Sequence, residues 1–437
     1  MGRSGDRVAV VGGGISGVLS AALLARQGHE VTIIDREPAL GGLLGSVRHG
    51  AHWFDHGTHI PQEIGHPALD ELLFGALDPA EWQSIDVVRA GHVFRGVLDP
   101  VSPFPSLAAL GTSAHDRAVV ELLERSAPAV DHQSSADELR ATFGPTITDL
   151  VFRVPVERTF GRALEDLGPG AHRLLFQRVK ALDRPTTATL KAAVPHLDAT
   201  LAFHRPEDGP NRPAWYPRDG GCGRWVDTLV GRHLGAVDIR VGFGVEKVVA
   251  DGTASSLLLG DGAELTIDRL VWTLPPAQFL ALAGTDPPAG HGRPEFVPVS
   301  LHHLVLDRAP AIEAHCVAVL DPGFEANRVT LYSNLRGGGP PTCTVGRYGA
   351  RPETSPTALV DELMTLGIAA PGTQVLEAAT DRIPDAFPIP TPASTAAAEA
   401  MTVAAEQAAT NVTFLGRSTG RAFFMPEVFA QCYDALT

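Results

Sequence analysis

The chain has little of what several simple functional classes require. It has only four cysteines, Cys222, Cys316, Cys343 and Cys432, scattered without metal-ligand spacing. That pattern supports neither a zinc site nor a disulfide framework. It reads as buried or free thiols in a reducing cytosol. Positive charge is short: 35 Lys and Arg face 50 Asp and Glu, a formal net charge of −15. Nucleic acid and anionic membranes are therefore disfavoured as main partners, while a local basic pocket for a small anion stays compatible. Long apolar runs are scarce too. Val8 to Ala25 carries no charge, but Gly12, Gly13, Gly14 and Gly17 make it a poor spanning helix. No other segment reaches membrane length, so a soluble, cytoplasmic protein without an integral membrane segment is expected. Repeats, a nucleophilic triad and a phosphate-binding lysine loop are also lacking. Asn411-Val412-Thr413 matches a glycosylation acceptor, a tripeptide common by chance.

What is present points to a multi-domain α/β protein. At 437 residues the chain exceeds one core, given roughly 150 residues per domain. Val8-Ala9-Val10-Val11 reads as a buried parallel strand, Ile15 to Gln27 as a helix ended by Gly28, and Val31-Thr32-Ile33-Ile34 as a second strand. From about 86 to 214 the pattern is helical with polar interruptions, including a helix start at Ser134 running to Phe143. Pro206 to Pro213 reads as a loop, and Gly223 to Leu234 as a helix. Short strands at Ile239–Val241, Val245–Val249, Ser255–Leu259 and Leu265–Ile267, with Asp-Gly turns, read as a β-meander. Leu270 to Leu274 and Val412 to Leu415 are further buried strands. Ala396 to Ala408 is helical, and a terminal helix begins near Pro426.

The first βαβ unit carries Gly12-x-Gly14-x-x-Gly17 between strand and helix, with Ile15 and Ser16 opening the helix. The first glycine permits the turn, the second lets backbone approach a pyrophosphate, and the third lets helix and strand pack closely. The helix start then offers N–H groups and a positive dipole end to the phosphates. Asp35 ends the second strand, where a carboxylate suits ribose hydroxyls and repels a 2′-phosphate, so NADP is disfavoured. Arg36 follows it. Gly41 and Gly42, before Leu43 and Leu44, place bare backbone where a second phosphate or a ribityl chain passes. No second strand-linked glycine triplet occurs, so the chain lacks an obvious NAD(P)H domain of its own.

This extended pattern resembles the FAD-binding amine oxidase, protoporphyrinogen oxidase and UDP-galactopyranose mutase superfamily. The resemblance continues at Phe54-Asp55-His56-Gly57-Thr58-His59-Ile60, at Trp215-Tyr216-Pro217-Arg218-Asp219-Gly220-Gly221 and at Val245-Glu246-Lys247-Val248. It reappears at Val271-Trp272-Thr273-Leu274-Pro275, at Phe387-Pro388-Ile389-Pro390-Thr391 and at Phe414-Leu415-Gly416-Arg417. It implies a Rossmann-type FAD-binding domain in three pieces, 1–85, 215–275 and 395–437, with an inserted α+β substrate domain from 86–214 and 276–394. It further implies that Gly57, Thr58 and His59 pass the flavin ring and that Val245 lies at the adenine. Gly416 and Arg417 would lie at the flavin phosphate and ribityl, with Phe424, Met425 and Val428 at a helix start facing the flavin pyrimidine edge. FAD is expected to be noncovalent, because no Cys or His stands in an attachment motif.

The family does two kinds of chemistry, and both stay open here. One is an FAD-dependent oxidoreduction of a small polar metabolite by hydride transfer to flavin N5, with an external electron donor or acceptor. The other is a non-redox pyranose/furanose isomerisation of a nucleotide sugar on reduced FAD. Glu157-Arg158-Thr159-Phe160-Gly161 resembles a mutase segment. Yet Phe423 and Met425 stand where the mutase pattern carries Tyr and Asp, and Leu182 stands where it carries an arginine. Arg178-Val179-Lys180-Ala181-Leu182 looks closer to protoporphyrinogen oxidase-like proteins. A third reading is a flavin-bearing partner protein without catalysis. Candidate substrate-contacting residues are His59 and an anion pocket of Arg158, Arg178 and Arg347, each with a packing or salt-bridge role as its alternative. Tyr332 and Tyr348 are further candidates, and His52 and His56 are expected at the surface. No metal is expected.

Overall fold

Runs of Val and Ile bounded by glycine specify strands buried on both faces, and parallel strands supply that environment. The computed structural model describes residues 5–75, 77–125, 131–203, 212–290 and 294–437. It contains two compact units. The first comprises Met1–Trp82, Trp215–Pro294 and Ala393–Thr437, and the second Gln83–Ala214 and Glu295–Pro392.

The first unit is built on a parallel five-stranded sheet. Its order is Val412–Phe414, Arg269–Trp272, Arg7–Val11, Glu30–Asp35 and Asp238–Val241. Every neighbouring pair is parallel. The helix Ile15–Arg26 connects the two strands expected from the N-terminus, and the meander forms at Val245–Ala250, Ala254–Leu259 and Glu264–Thr266, but its expected first strand, Ile239–Val241, is corrected: it joins the parallel sheet beside Glu30–Asp35, a partner about 200 residues away. Phe279 and Leu280 of the helix Pro276–Leu282 are fully buried in the cluster that holds Trp272, Leu257 and Phe414. That packing carries the first unit past 275 to Pro294. Asn411 uses its side-chain amide on the backbone of Ala254 and Asp268, so it is a structural bracket.

A buried carboxylate organises the same unit. Asp55 has no exposed surface. It accepts hydrogen bonds from Ser46 Oγ at 2.7 Å, Cys222 N at 2.8 Å and Tyr216 Oη at 2.6 Å. Ser46 Oγ in turn accepts from Gly223 N at 2.8 Å. A Cβ on Gly221 would lie 2.3 Å from Ser46 Oγ and 2.5 Å from Asp55 Oδ1. The Tyr-Pro-Arg-Asp-Gly-Gly segment and the hairpin Ser46–His49/His52–Asp55 are thus closed on one acid.

The second unit has a seven-stranded sheet in the order Val375–Pro388, Phe296–Leu306, Thr342–Tyr348, Arg328–Leu331, Cys316–Val319, Ala90–Phe94 and Val97–Asp99. One cluster joins Leu304, Val317, Val329 and Val345 to Leu359, Val360 and Leu363 of the helix Pro356–Thr365. Another joins Val299, Leu301, Ala318 and Tyr348 to helical residues such as Leu139, Phe152, Val156 and Phe160. The helix Ser135–Phe143 starts as expected, with Ser134 Oγ accepting from Asp137 N at 3.1 Å. The expectation of helical segments with polar interruptions from about 86 to 214 is corrected at its start: Ala90–Phe94 and Val97–Asp99 are strands. Ala90–Phe94 is short, carries glycine and histidine and pairs with Cys316–Val319 more than 200 residues away, and Val97–Asp99 pairs back onto it. Residues 206–211 of the expected loop lie outside the described residues. No helix among the described residues is long and apolar enough to cross a membrane.

Replacing Asp55 by Ala would strand the Tyr216 and Ser46 hydroxyls and the Cys222 amide. We expect a loss of about 4 kcal/mol in urea denaturation. A loss under about 1 kcal/mol would show that the acid is not the closure.

Candidate cofactor site

The glycine loop is shaped by what it excludes. A Cβ on Gly17 would sit 1.8 Å from the Gly12 carbonyl oxygen, so no other residue lets the helix start this close to the first strand. Thr273 Oγ1 donates to the Val11 and Gly12 carbonyls at 3.0 and 3.3 Å and fixes the strand end. Gly14 is different. Its φ of −67° is open to any residue, and a Cβ there would meet nothing within 4 Å. No side chain caps the helix start at Gly14. The cradle therefore has bare backbone, a positive helix end and open space at one point, which fits a pyrophosphate.

Asp35 and the glycine pair complete this cradle. Asp35 Oδ2 accepts from Gly13 N at 2.5 Å and Oδ1 from Glu37 N at 2.8 Å. The acid thus orders the loop, and a carboxylate with two further acceptor positions can still serve ribose hydroxyls. Gly41 adopts φ 126°, donates to the Gly13 carbonyl at 2.8 Å and bridges to Gly14. The pair thus folds back on the first loop. Leu44 is buried under the following turn, and Leu43 is exposed. Gly244, next to Val245, lies against the Arg36 side chain, and Arg36 itself is exposed and paired with Glu37.

The C-terminal segment meets the same helix. A Cβ on Gly416 would lie 2.9 Å from Ser16 Oγ, and Gly416 N donates to Gln431 Oε1 at 2.8 Å. Residues 400 positions apart in sequence are thus neighbours. Arg417 is half-buried, its guanidinium 5.3 Å from the Phe423 ring centre, and burial lowers its pKa. The terminal helix Met425–Leu436 begins after Phe424, with Val428 buried. Glu427 accepts from Phe423 N at 2.9 Å and Phe424 N at 3.1 Å, an acid at the helix start that the sequence reading missed. His59 folds back so that a Cβ on Gly57 would lie 3.3 Å from its Nε2, with Thr58 between. His52 and His56 are only partly exposed, short of the expected surface position.

In the second unit all three arginines of the expected anion pocket contact the protein's own oxygens. Arg158 donates to the carbonyls of Val319, Asp321, Phe324 and Ala326, and burial pushes its pKa down to about 10. Glu362 accepts from Glu325 N and Ala326 N of the same segment. Arg347 is buried and paired with Glu325. Arg178 donates to the Asp198 carbonyl at 3.1 Å. These guanidiniums serve the protein's own oxygens. Tyr332 is fully buried, its hydroxyl 2.9 Å from Thr344 Oγ1, and Tyr348 is nearly so.

Comparison with known proteins agrees with this geometry. Residues 10–73 match a family described as an NAD(P)-binding Rossmann-like domain. Over its whole length the chain shares its fold with solved structures of low sequence identity. Among solved structures it is similar to a reduced UDP-galactopyranose mutase, with a TM-score of 0.75 and 15% identity, covering 99% of this chain and 94% of that one. It is also similar to a candidate protoporphyrinogen oxidase from Exiguobacterium sp., with a TM-score of 0.70 and 15% identity, covering 100% and 98%. A phytoene desaturase from Phycomyces blakesleeanus is 32% identical over 92 residues, which is 21% of this chain and only 15% of that protein.

Two substitutions separate ligand binding from folding. Gly14→Val is conformationally permitted, so the variant should melt with flavin-free wild-type protein yet carry less than a tenth of the wild-type flavin. Full flavin content in that variant would refute the placement of the cradle. Arg158→Met leaves four carbonyls short of a donor. It should cost about 3 kcal/mol in denaturant unfolding and leave flavin content unchanged.

Proposed function

We propose that the chain is an FAD-dependent oxidoreductase acting on a small polar metabolite. The observation that carries this reading is the cradle formed by Gly14, Gly41 and Gly416 over a helix start, with Asp35 at the strand end. Asp35 favours a ribose with free hydroxyls. The backbone of Gly41 and Gly42 and the Ser16–Gly416 approach offer room for a second phosphate and a ribityl chain. When bound, flavin supplies a two-electron acceptor that takes hydride at N5. The protein's part is to hold it. The Gly12–Gly17 loop binds the phosphates, and Arg417 and the Met425–Leu436 helix start lend positive charge. An external donor or acceptor must close the cycle.

Reduced-flavin isomerisation of a nucleotide sugar is the second reading, favoured by the whole-length likeness to the mutase fold. It ranks lower. Arg158 and Arg347 are occupied by protein oxygens, and Phe423 and Met425 supply no hydroxyl or acid. A diphosphate would find few of the charges it needs.

The holoprotein should be yellow, and its flavin should bleach anaerobically on addition of a true substrate. Small amino and hydroxy acids form one arm of the test and nucleotide sugars the other. Bleaching by an acid supports oxidoreduction. Turnover of a nucleotide sugar only after dithionite, without net oxidation, would overturn it in favour of the mutase. A colourless protein that FAD cannot reconstitute would remove both.

A further inference from the structure

One helix of the second unit shows water an apolar face that its own chain does not cover. In the helix Thr112–Leu123, Ala118 and Leu122 are buried in the core. The opposite stripe, Ser113, Asp116, Arg117, Val120, Leu123 and Glu124, is exposed along its whole length. Val120 is 54% exposed and Leu123 43%. A groove of about 710 Å³ borders this helix, with Leu110, Arg117, Glu121, Pro145, Thr146 and Leu150 among its walls. Leu150, in the π-helical turn Thr148–Phe152, is 40% exposed. Val154 of the following helix Arg153–Phe160 is 45% exposed. Four large apolar side chains on two neighbouring helical segments, with a groove between those segments, mark an interaction surface.

The charges along the stripe are ordered. Asp116 and Arg117 stand one turn before Val120, and Glu124 and Arg125 one turn after it. Glu124 continues the helical path, its N–H donating to the Val120 carbonyl at 3.0 Å. The order minus, plus, minus, plus is complementary to itself only when reversed. An antiparallel copy sets Asp116 against Arg125 and Arg117 against Glu124, each pair made twice about a twofold axis between Val120 and Glu121. A parallel copy sets like against like. Neither Arg117 nor Glu124 has an ion pair or a side-chain hydrogen bond among the described residues. About 10 Å of helix separates them, too far to pair within one chain. Glu121, at the axis, has its carboxylate turned inward, where it accepts from Thr146 N and Oγ1, each at 2.8 Å.

We infer that this face pairs with itself. A second copy of the chain docks antiparallel, helix Thr112–Leu123 against helix Thr112–Leu123, with Val120 and Leu123 of each copy entering the groove beside Arg117 and Leu150 of the other. Side-chain ridges seated in a groove are the ordinary geometry of helix contacts. The apolar centre supplies the affinity, and the ion pairs at its rim set direction and register. The pairing goes beyond the oxidoreductase reading and does not rest on it.

Sedimentation equilibrium of the purified full-length protein tests this, with circular dichroism melts to confirm that each variant folds. Wild type should approach twice the chain mass at concentrations on the order of 10 μM. Val120→Glu, which brings like charges together at the axis, should weaken dimerisation at least about tenfold, and so should Arg117→Glu. Adding Glu124→Arg to Arg117→Glu rebuilds the pair with its polarity reversed and should restore the affinity to within about threefold of wild type. All three positions are exposed, so the variants should melt like wild type. Monomeric wild type at about 100 μM overturns the inference. Dimerisation unchanged by Val120→Glu or by Arg117→Glu overturns it, because another surface then holds the copies together. A double variant as weak as Arg117→Glu alone overturns the antiparallel pairing. Monomeric protein that sediments with phosphatidylcholine vesicles overturns it in favour of a lipid surface.

Discussion

The first unit depends on one close approach. Gly17 has no room for a Cβ, because the Gly12 carbonyl oxygen would be 1.8 Å away. This contact sets where the first helix starts relative to the first strand, and so where its positive end points. Gly41 donates to the Gly13 carbonyl, and Gly416, which lacks the Cβ that would lie 2.9 Å from Ser16 Oγ, packs on the same helix start. Remove the approach and the three backbone segments no longer converge. The chemistry assigned to the cradle is a consequence of that convergence rather than of a reactive side chain.

Around this point the protein spends charge on structure. Asp35 takes two amides, Asp55 takes two hydroxyls and an amide, and Glu427 takes two amides at the terminal helix. In the second unit Arg158 and Glu362 grip one segment from opposite polarities, carbonyls by the cation and amides by the acid. Four bonds to carbonyls hold a guanidinium more firmly than a bound metabolite would allow it to move.

The first unit was legible in the sequence because its signals are local. Strand, glycine triplet, helix, strand and Asp35 lie within about 30 residues, the span of one βαβ unit. The second unit was legible only in outline. Ala90–Phe94 is stabilised by Cys316–Val319, far along the chain, and Val375–Pro388 is an edge strand whose register shifts between Val297 and Val299 admit Pro384. Local reading takes glycine, histidine and proline as interruptions. The acid at Asp55 was visible within a motif, but its role was not, since Tyr216 and Cys222 lie more than 160 residues away. For Arg158, Arg178 and Arg347 the sequence offered positive charge, and only the fold says which oxygens receive it.

The central claim is that the cradle is built for FAD rather than for a nicotinamide dinucleotide. Calorimetric titration of the flavin-free protein with FAD, NAD and NADP measures it directly. The account predicts saturable binding of one FAD per chain, at least a hundredfold tighter than either nicotinamide dinucleotide. Tight binding of NAD or NADP with none of FAD would contradict it.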